Sequence, residues 1–300
     1  MIERTVRRTN RPLGGCAFLL IALIAAPASA QCYDLDPCCY EPAKTLFSWN
    51  HHCPPSSGGG DTIATDRPDF TEASSTVGRG RIQFEMGYTY TWDDDGVTSL
   101  REHSLPELLI RIGLLAEWLE FRVGGNFLDE TTFAGGGRTN ASGGDDLYLG
   151  IKLALTEQCG WLPEMAILPQ TSAPIGDVAF SANEFLPGIN WLYSWEINDW
   201  LSTAGSTQIN RAREPGDVAY TELAQSWTVG ASLTERLGSY FEWYAFFPHA
   251  APAGTTSEHY LNGGFTWLAT DNWQFDIRAG FGLNEAADDY FLGSGMSVRF

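Results

Sequence analysis

Histidine and serine are neighbours at His103 and Ser104, and a hydrolase needs such a pair on one face, close enough to share a proton. The surrounding residues are those of a β-strand, where successive side chains point to opposite faces, so this pair cannot form a dyad. His249 lies in a predicted loop without an evident partner, and His259 falls on an apolar strand face. No nucleophile-elbow, Walker or dinucleotide-binding motif occurs in a suitable context. We therefore expect that the chain is not an enzyme and that it has no cofactor.

The N-terminus has the pattern of a cleaved secretory signal. Arginines precede an apolar stretch at residues 16–26, and Ala28-Ser29-Ala30 supplies the small residues of a cleavage site. The apolar stretch is shorter than the ~20 residues of a spanning helix. We assign residues 1–30 to the signal. Residues 31–78, rich in Cys, Pro and Gly, are predicted to be an irregular extension with a flexible linker.

Cysteine is concentrated in this extension. Because export permits disulfides, we predict disulfide pairing within the stretch, with the pairing pattern left open. Two histidines precede Cys53, but the C-x-x-C spacing of a zinc site is missing, so no metal site is predicted. The candidate disulfide residues are Cys32, Cys38, Cys39 and Cys53.

Acidic residues outnumber basic ones, with 37 Asp and Glu against 18 Lys and Arg and a formal net charge of −19. Phosphate binding requires clustered Lys and Arg, so we expect no nucleic-acid partner. The acidic excess is explained by solubility and a hydrated surface.

The positions of the polar residues are set by a strand pattern. From Ile82 to Trp92 every second residue is large and apolar, and those between are polar or small. Such a strand has one apolar and one polar face, and this one has the length of a tilted bilayer crossing, about 9–11 residues. The alternation recurs, for example at residues 147–153 and 273–281. Leu162–Ser172 and Leu201–Asn210 are weaker members whose faces cannot be assigned.

The connections between these segments alternate between short acidic turns and longer Gly- and Asp-rich loops. Five short turns and six loops, among them Asp129–Asp145 and Pro174–Glu184, imply about twelve strands with both ends on the short-turn side. The sequence thus predicts an all-β fold in residues 79–300, a single antiparallel up-and-down transmembrane β-barrel.

A membrane location is favoured over a soluble sandwich by the outward residues. Apolar faces of this size are too large to leave in water around a barrel. The C-terminal strand ends at Phe300, which resembles the assembly signal of outer-membrane barrels and implies the barrel-assembly machinery as a partner. Outer-membrane lipid is the other expected partner. Four tryptophans just after short turns would form an interfacial girdle: Trp118, Trp161, Trp200 and Trp273.

The opposite face of each strand would line the lumen. Its charges are of both signs, which fits a polar pore that selects solutes and also fits a network of lumenal ion pairs. We expect ion pairs for most of them and a narrow path lined by the rest. The lumen candidates are Glu85, Glu107, Arg111, Glu120, Arg122, Asp146, Lys152, Glu196, Glu222, Glu242, Asp276, Arg278 and Arg299.

Three short motifs carry a family resemblance: Thr65–Glu72, Ser104–Leu108 and Pro187–Asn190. Together they resemble a bacterial family of meta-pathway phenol-degradation proteins, often described as transporters, over roughly residues 61–300. The resemblance implies an outer-membrane channel for small hydrophobic or aromatic compounds. It leaves open whether residues 65–72 plug the barrel, pack at its periplasmic end or are purely structural.

The function predicted from the sequence is an outer-membrane channel that passes small solutes, of unknown identity, through a narrow polar lumen. Two alternatives remain. One is a closed structural or adhesive barrel that acts through its outer loops. The remoter one is a soluble secreted β-protein that binds carbohydrate through its tryptophans.

Overall fold

The computed structural model describes residues 43–47, 62–213 and 218–300, and their regular structure is entirely strand. The predicted signal at residues 1–30 lies outside the described residues. The described residues contain no apolar helix long enough to span a membrane. The strands are β1 (Ile82–Asp94), β2 (Thr98–Gly113), β3 (Leu119–Ala134), β4 (Gly137–Gly144), β5 (Leu147–Thr156), β6 (Glu164–Ala173), β7 (Leu186–Asn198), β8 (Leu201–Ala212), β9 (Tyr220–Ser232), β10 (Leu237–His249), β11 (Glu258–Thr270), β12 (Trp273–Gly282) and β13 (Tyr290–Arg299).

The strands close into one antiparallel barrel. Each strand pairs with its neighbours in sequence, except that β5 pairs with β3 and not with β4, and β1 returns to β13 in a register that runs from Gln83 opposite Arg299 to Trp92 opposite Tyr290. Among the described strands β4 pairs on one side alone, and every other strand pairs on both sides. A membrane favours such closure because lipid offers the backbone no hydrogen bonds. The predicted up-and-down barrel is confirmed.

The barrel has twelve crossings because β4 and β5 form a single one. Both pair with β3: β4 pairs with residues 127–134 and β5 pairs with residues 119–124. The wall is interrupted between β4 and β5 at Asp145 and Asp146. The predicted loop Asp129–Asp145 was therefore wrong. Gly135 and Gly136 have φ of 55° and 78°, the conformation of a tight hairpin turn, so β3 continues to Ala134 and returns at once as β4.

The two ends of the barrel differ. The inner end carries the five short turns, the start of β1 and the end of β13, and the outer end carries the longer connections, including residues 174–185 between β6 and β7. Of the predicted girdle residues, Trp118 is half-buried, and Trp161, Trp200 and Trp273 are exposed by 95%, 57% and 39%. All four lie at the inner end, and their contact with lipid stays a prediction.

The two faces of the wall follow the predicted alternation. In β1, Gln83 and Glu85 are fully buried inside, and the large apolar residues point outward. The outward residues of the other strands are largely apolar and exposed, as at Trp191, Phe265 and Ile277. In β6 the alternation is weak because the inward residues Ala166 and Leu168 are themselves apolar and pack against Leu192 of β7.

Candidate functional site

An irregular stretch, residues 62–80, runs through the barrel, and we call it the lumenal segment. Its ends are fixed at the inner end, where the Ile63 N–H donates to the Asp271 carbonyl and the Gly80 N–H to the Gly113 carbonyl. Between these points it contacts inward side chains on opposite walls of the barrel. The predicted extension thus continues inside the barrel, and its linker residues 48–61 lie outside the described residues.

The lumenal segment has no regular structure, so its backbone groups need side-chain partners. Buried cations supply donors: Arg111 donates to the carbonyls of Ala64 at 2.9 Å and Ser75 at 3.1 Å, and Lys152 donates to the carbonyl of Ala73 at 2.5 Å. An unpaired buried carbonyl would cost about 1–3 kcal/mol. These two residues therefore hold the segment through its main chain.

Buried carboxylates accept the complementary N–H groups. Glu85 accepts from the N–H groups of Asp66 and Arg67 at 3.0 and 3.1 Å, and Glu242 accepts from those of Phe70 and Thr71 at 2.7 Å each. Glu120 accepts from the N–H of Val77 at 2.8 Å. Hydrogen bonds to charged acceptors are about twice as strong as neutral ones, so the carboxylates seat the segment firmly.

Arg67 anchors the lumenal segment to the wall through its side chain. Its guanidinium pairs with Glu107 at 2.7 Å and with Asp276 at 3.2 Å. It lies flat against the wall at Gly87 of β1 and Gly295 of β13, where any side chain would occupy the same space as the guanidinium. Two adjacent glycines thus form the slot that admits Arg67.

A charge cluster surrounds the inner part of the segment. Arg122 pairs with Glu72 at 2.7 Å and also contacts Asp66, while Arg111 pairs with Glu120 at 2.9 Å. Enclosure in the lumen raises the pKa of Glu72 to about 7, with Lys152 opposing the rise. Protonation of one acid balances the charges, because the cluster has four acids and three bases: Asp66, Glu72, Glu85, Glu120, Arg111, Arg122 and Lys152.

The remaining predicted lumen residues lie at different heights in the barrel. Arg278 donates to the Pro68 carbonyl at 3.0 Å, and Arg299 binds the Asn272 side chain at the inner end. Asp146 accepts the N–H groups of Gly176 and Ala182 and so holds the β6–β7 loop. Glu222 is buried on the inner face of β9, whereas Glu196 is exposed at the inner rim. Whether these charges select solutes stays a prediction.

An aromatic cluster in the outer half of the lumen was not predicted. Phe70 stacks on Tyr244 with ring centroids 4.6 Å apart, and Tyr244 stacks on Tyr260 at 4.8 Å. Phe246 and Phe291 complete the cluster and are almost fully buried. No periodicity indicated this cluster, because β10 carries large aromatic residues on both faces and shows no alternation.

Two cavities lie on either side of the lumenal segment. The outer cavity, about 230 Å³, is lined by the aromatic cluster together with Arg67, Glu107 and Arg278. The inner cavity, about 280 Å³, is lined by polar residues that include Ser74, Glu164 and Glu196. Asp69 and Glu72 line both cavities, so this short part of the segment lies between them.

The motif Thr65–Glu72 that suggested a family thus forms the centre of the site. The family model described as "Putative MetA-pathway of phenol degradation" matches residues 65–300, which is more than three quarters of the chain. The chain belongs to this family. The match begins within the lumenal segment, so it covers residues 65–80 of that segment together with the barrel.

Solved structures share the barrel of this phenol-degradation family member. An outer-membrane channel from Pseudomonas putida F1 is 11% identical, with 76% of this chain and 98% of that chain covered and a TM-score of 0.63. The NanC porin is 8% identical, with 72% and 98% covered and a TM-score of 0.46. At such identity the first likeness shows the fold alone. No curated protein is significantly similar in sequence.

These comparisons confirm the predicted family and fold class.

The cysteines predicted to pair, Cys32, Cys38, Cys39 and Cys53, lie outside the described residues. Cys159, in the β5–β6 turn, is disulfide-bonded, although the prediction had not included it. Close to that turn, the N–H groups of Leu46 and Phe47 donate to carbonyls near the end of β5. In the described ranges no group of three or more His, Cys, Asp or Glu side chains is placed to hold a metal ion.

Proposed function

We propose that this protein is an outer-membrane channel for small solutes, in which the lumenal segment is a plug that shifts to open the path. One observation carries the proposal: Asp69 and Glu72 line both the outer and the inner cavity, so this part of the lumenal segment lies between the two. Many buried polar contacts seat the segment, but each is a discrete hydrogen bond or ion pair, and no regular secondary structure has to unfold for a local shift. The family and the outer-membrane barrel fold support the proposal.

The solute class that fits the outer cavity is small and aromatic. A cavity of roughly 150 Å³ is enough for a benzene ring, and this one offers stacking surfaces on Phe70 and Tyr244. Arg278 lies at the wall and offers a donor to a solute hydroxyl or carboxylate. The family's description, which refers to phenol degradation, points in the same direction.

The surroundings implied by this proposal are those of other barrels in the outer membrane. The short turns, the start of β1 and the end of β13 face the periplasm, and the longer loops face outward. The apolar exterior contacts lipid. Phe300, which is 73% exposed and whose N–H and carbonyl pair with Ile82, is proposed as the signal read by the assembly machinery.

The proposal is tested by planar-bilayer conductance of the purified full chain. A variant in which residues 69–72 are replaced by Gly-Ser-Gly-Ser is expected to conduct several times more than the wild type, because its two cavities join. Uptake into liposomes is then compared for a small aromatic solute and an aliphatic solute of equal volume, with Tyr244→Ala expected to lower only the aromatic uptake. Absence of conductance and uptake in both the wild type and the variant would overturn the channel proposal.

A closed structural barrel is the second candidate, favoured by the extent to which the lumen is filled. Beyond the lumenal segment, the β6–β7 loop packs its buried Phe180 at the outer end. The conductance of the 69–72 variant distinguishes the two: a structural barrel has no reason to open along a continuous path when four residues are replaced.

Catalysis is not part of the proposal. Ser104 is fully buried on the inner face of β2, and the adjacent His103 is exposed on the outer face, where it hydrogen-bonds the Tyr88 hydroxyl at 2.9 Å. The two side chains are therefore separated by the wall. This geometry supports a protein that passes its solute unchanged.

A further inference from the structure

Two arginines stand on the lipid-facing side of the wall near its outer end. Arg101 of β2 and Arg138 of β4 are both exposed and point away from the lumen. The Arg101 guanidinium stacks on Trp92 at 4.7 Å and on Phe133 at 5.0 Å, and Arg138 stacks on the same Phe133 at 5.9 Å. One aromatic ring thus brings the two cations together.

The strand register fixes the height of this pair. Trp92 lies opposite Arg101, and Phe133 lies opposite Arg138. From Ile82, at the inner end, to Trp92 the strand advances ten residues, roughly 33 Å at about 3.3 Å per residue. With a tilt of about 40° this is a rise of about 25 Å, equal to the apolar band of such barrels. The two guanidinium groups therefore lie at the level of the outer-leaflet headgroups.

The donors of both arginines are available at this height. Among the described residues neither guanidinium has a carboxylate within ion-pair distance, and stacking covers only the flat faces of the groups. Arg138 donates from Nε to the Asn140 side chain at 2.9 Å, and Asn140 donates to the Thr131 hydroxyl at 3.0 Å. These hydrogen bonds orient Arg138 and leave its terminal nitrogens to a ligand.

We propose that Arg101 and Arg138 bind a phosphate of an outer-leaflet lipid headgroup, with Trp92 and Phe133 beside its acyl chains. A guanidinium presents a rigid fork that matches phosphate oxygens, and an aromatic ring at the interface accepts both lipid and water. The rest of the chain is strongly acidic, so this paired positive charge is a local exception. The site rests on the placement in the outer membrane and is independent of solute transport.

Substitution of Asp129 tests the proposal in the opposite direction, because it should strengthen lipid binding. Asp129 is exposed on the same outward face, one row nearer the inner end, opposite His103 on β2 and Ser142 on β4. A carboxylate there repels a bound phosphate. Asp129→Asn is therefore expected to strengthen retention of the lipid, and no change or a weakening would count against the site.

The decisive experiment measures retention of bisphosphorylated lipid A by the full chain in detergent micelles, using native mass spectrometry. Arg101→Gln combined with Arg138→Gln is expected to reduce retention about tenfold or more. Arg236→Gln, an exposed arginine in the β9–β10 turn, is the matched control and should retain the lipid as the wild type does.

The lipid headgroup and free phosphate are distinguished in the same assay. Dephosphorylated lipid A should be retained no better by the wild type than by the double variant, and millimolar inorganic phosphate should not displace the lipid. Equal retention by the wild type and the double variant would overturn the proposal, as would displacement by inorganic phosphate. Conductance of the double variant should match the wild type, so failure here is separable from failure of the channel proposal.

Discussion

The charged residues of the lumen bind the backbone of the lumenal segment as well as one another. Arg111 shows this: besides its ion pairs with Glu85 and Glu120, it donates to two main-chain carbonyls of the lumenal segment. Glu242 does the converse and accepts two main-chain N–H groups. A segment without regular structure can be buried only when such partners exist, because each buried backbone group needs one. The charges therefore specify where the segment lies.

The slot at Gly87 provides a test at the residue scale. Gly87→Ala places a methyl group where the Arg67 guanidinium lies, and displacement of Arg67 breaks its buried pairs with Glu107 and Asp276. Breaking such a pair costs about 3 kcal/mol, so the displaced state should be populated roughly a hundredfold more. Hydrogen exchange of residues 62–80, followed by mass spectrometry, measures this.

Gly125→Ala is the matched control for that variant, because a methyl group at Gly125 of β3 meets no atom within 4 Å. It should leave exchange of the lumenal segment as in the wild type. Equal protection in both variants would show that Arg67 does not anchor the segment through this slot.

Irregularities in the strands set which side chains meet. In β2 the register shifts between Ser104 and Glu107, at Leu105 and Pro106. Before the bulge the even-numbered Glu102 points inward, and after it the odd-numbered residues do. A proline is tolerated there because a bulge leaves a residue outside the hydrogen-bond ladder. Without this shift, the anchor at Glu107 would face lipid.

The β6–β7 loop gives a prediction at the element scale. Asp146, at the break between β4 and β5, accepts the N–H groups of Gly176 at 3.0 Å and Ala182 at 2.9 Å. Asp146→Ala removes both charge-assisted hydrogen bonds, a loss of about 3 kcal/mol. The loop should then be cut faster by an added protease while the barrel stays resistant to SDS without boiling.

Asp129→Ala removes an exposed carboxylate from β3 and serves as the control for the loop experiment. Its cleavage rate should equal that of the wild type. If Asp146→Ala were cut no faster than this control, the loop would be held by other contacts, such as that of its Asp177 with the Gly144 N–H.

At the scale of the whole molecule, the binding of the lumenal segment inside the barrel is expected to depend on pH. The pKa of Glu72 is raised to about 7 by enclosure, whereas a released Glu has a pKa of about 4.3. Because the seated value is the higher one, protonation stabilises the seated segment. This stabilisation is complete below about pH 4 and is lost as the pH rises through about 7. Conductance should therefore increase between about pH 5 and pH 8.

Glu72→Gln mimics the protonated acid and should flatten this dependence in bilayer recordings. Glu196→Gln, at the exposed inner rim, should keep the dependence of the wild type. A Glu72→Gln channel with an unchanged pH profile would assign the titration to another group.

The barrel itself was determined by the local sequence. Apolar and polar side chains must alternate in a strand that separates lipid from lumen, so the pattern of Ile82–Trp92 predicts both a strand and the direction of each of its faces. Turn length and strand length then give the number of crossings. The predicted loop at residues 129–145 was wrong because a tight turn at Gly135 and Gly136 lets the chain reverse there within the wall. The faces of β6 were undetermined because two of its inward residues, Ala166 and Leu168, are apolar.

The site was decided by the tertiary structure. The inward position of Arg67 follows from no periodicity, since residues 62–80 are irregular, and its slot is made by glycines from strands at opposite ends of the chain, Gly87 and Gly295. The aromatic cluster similarly joins Phe70, Tyr244 and Phe291. The two-residue alternation of a strand indicates only which face a residue occupies. Which inward residues meet across the lumen depends on closure and register, and these exist only in the folded barrel.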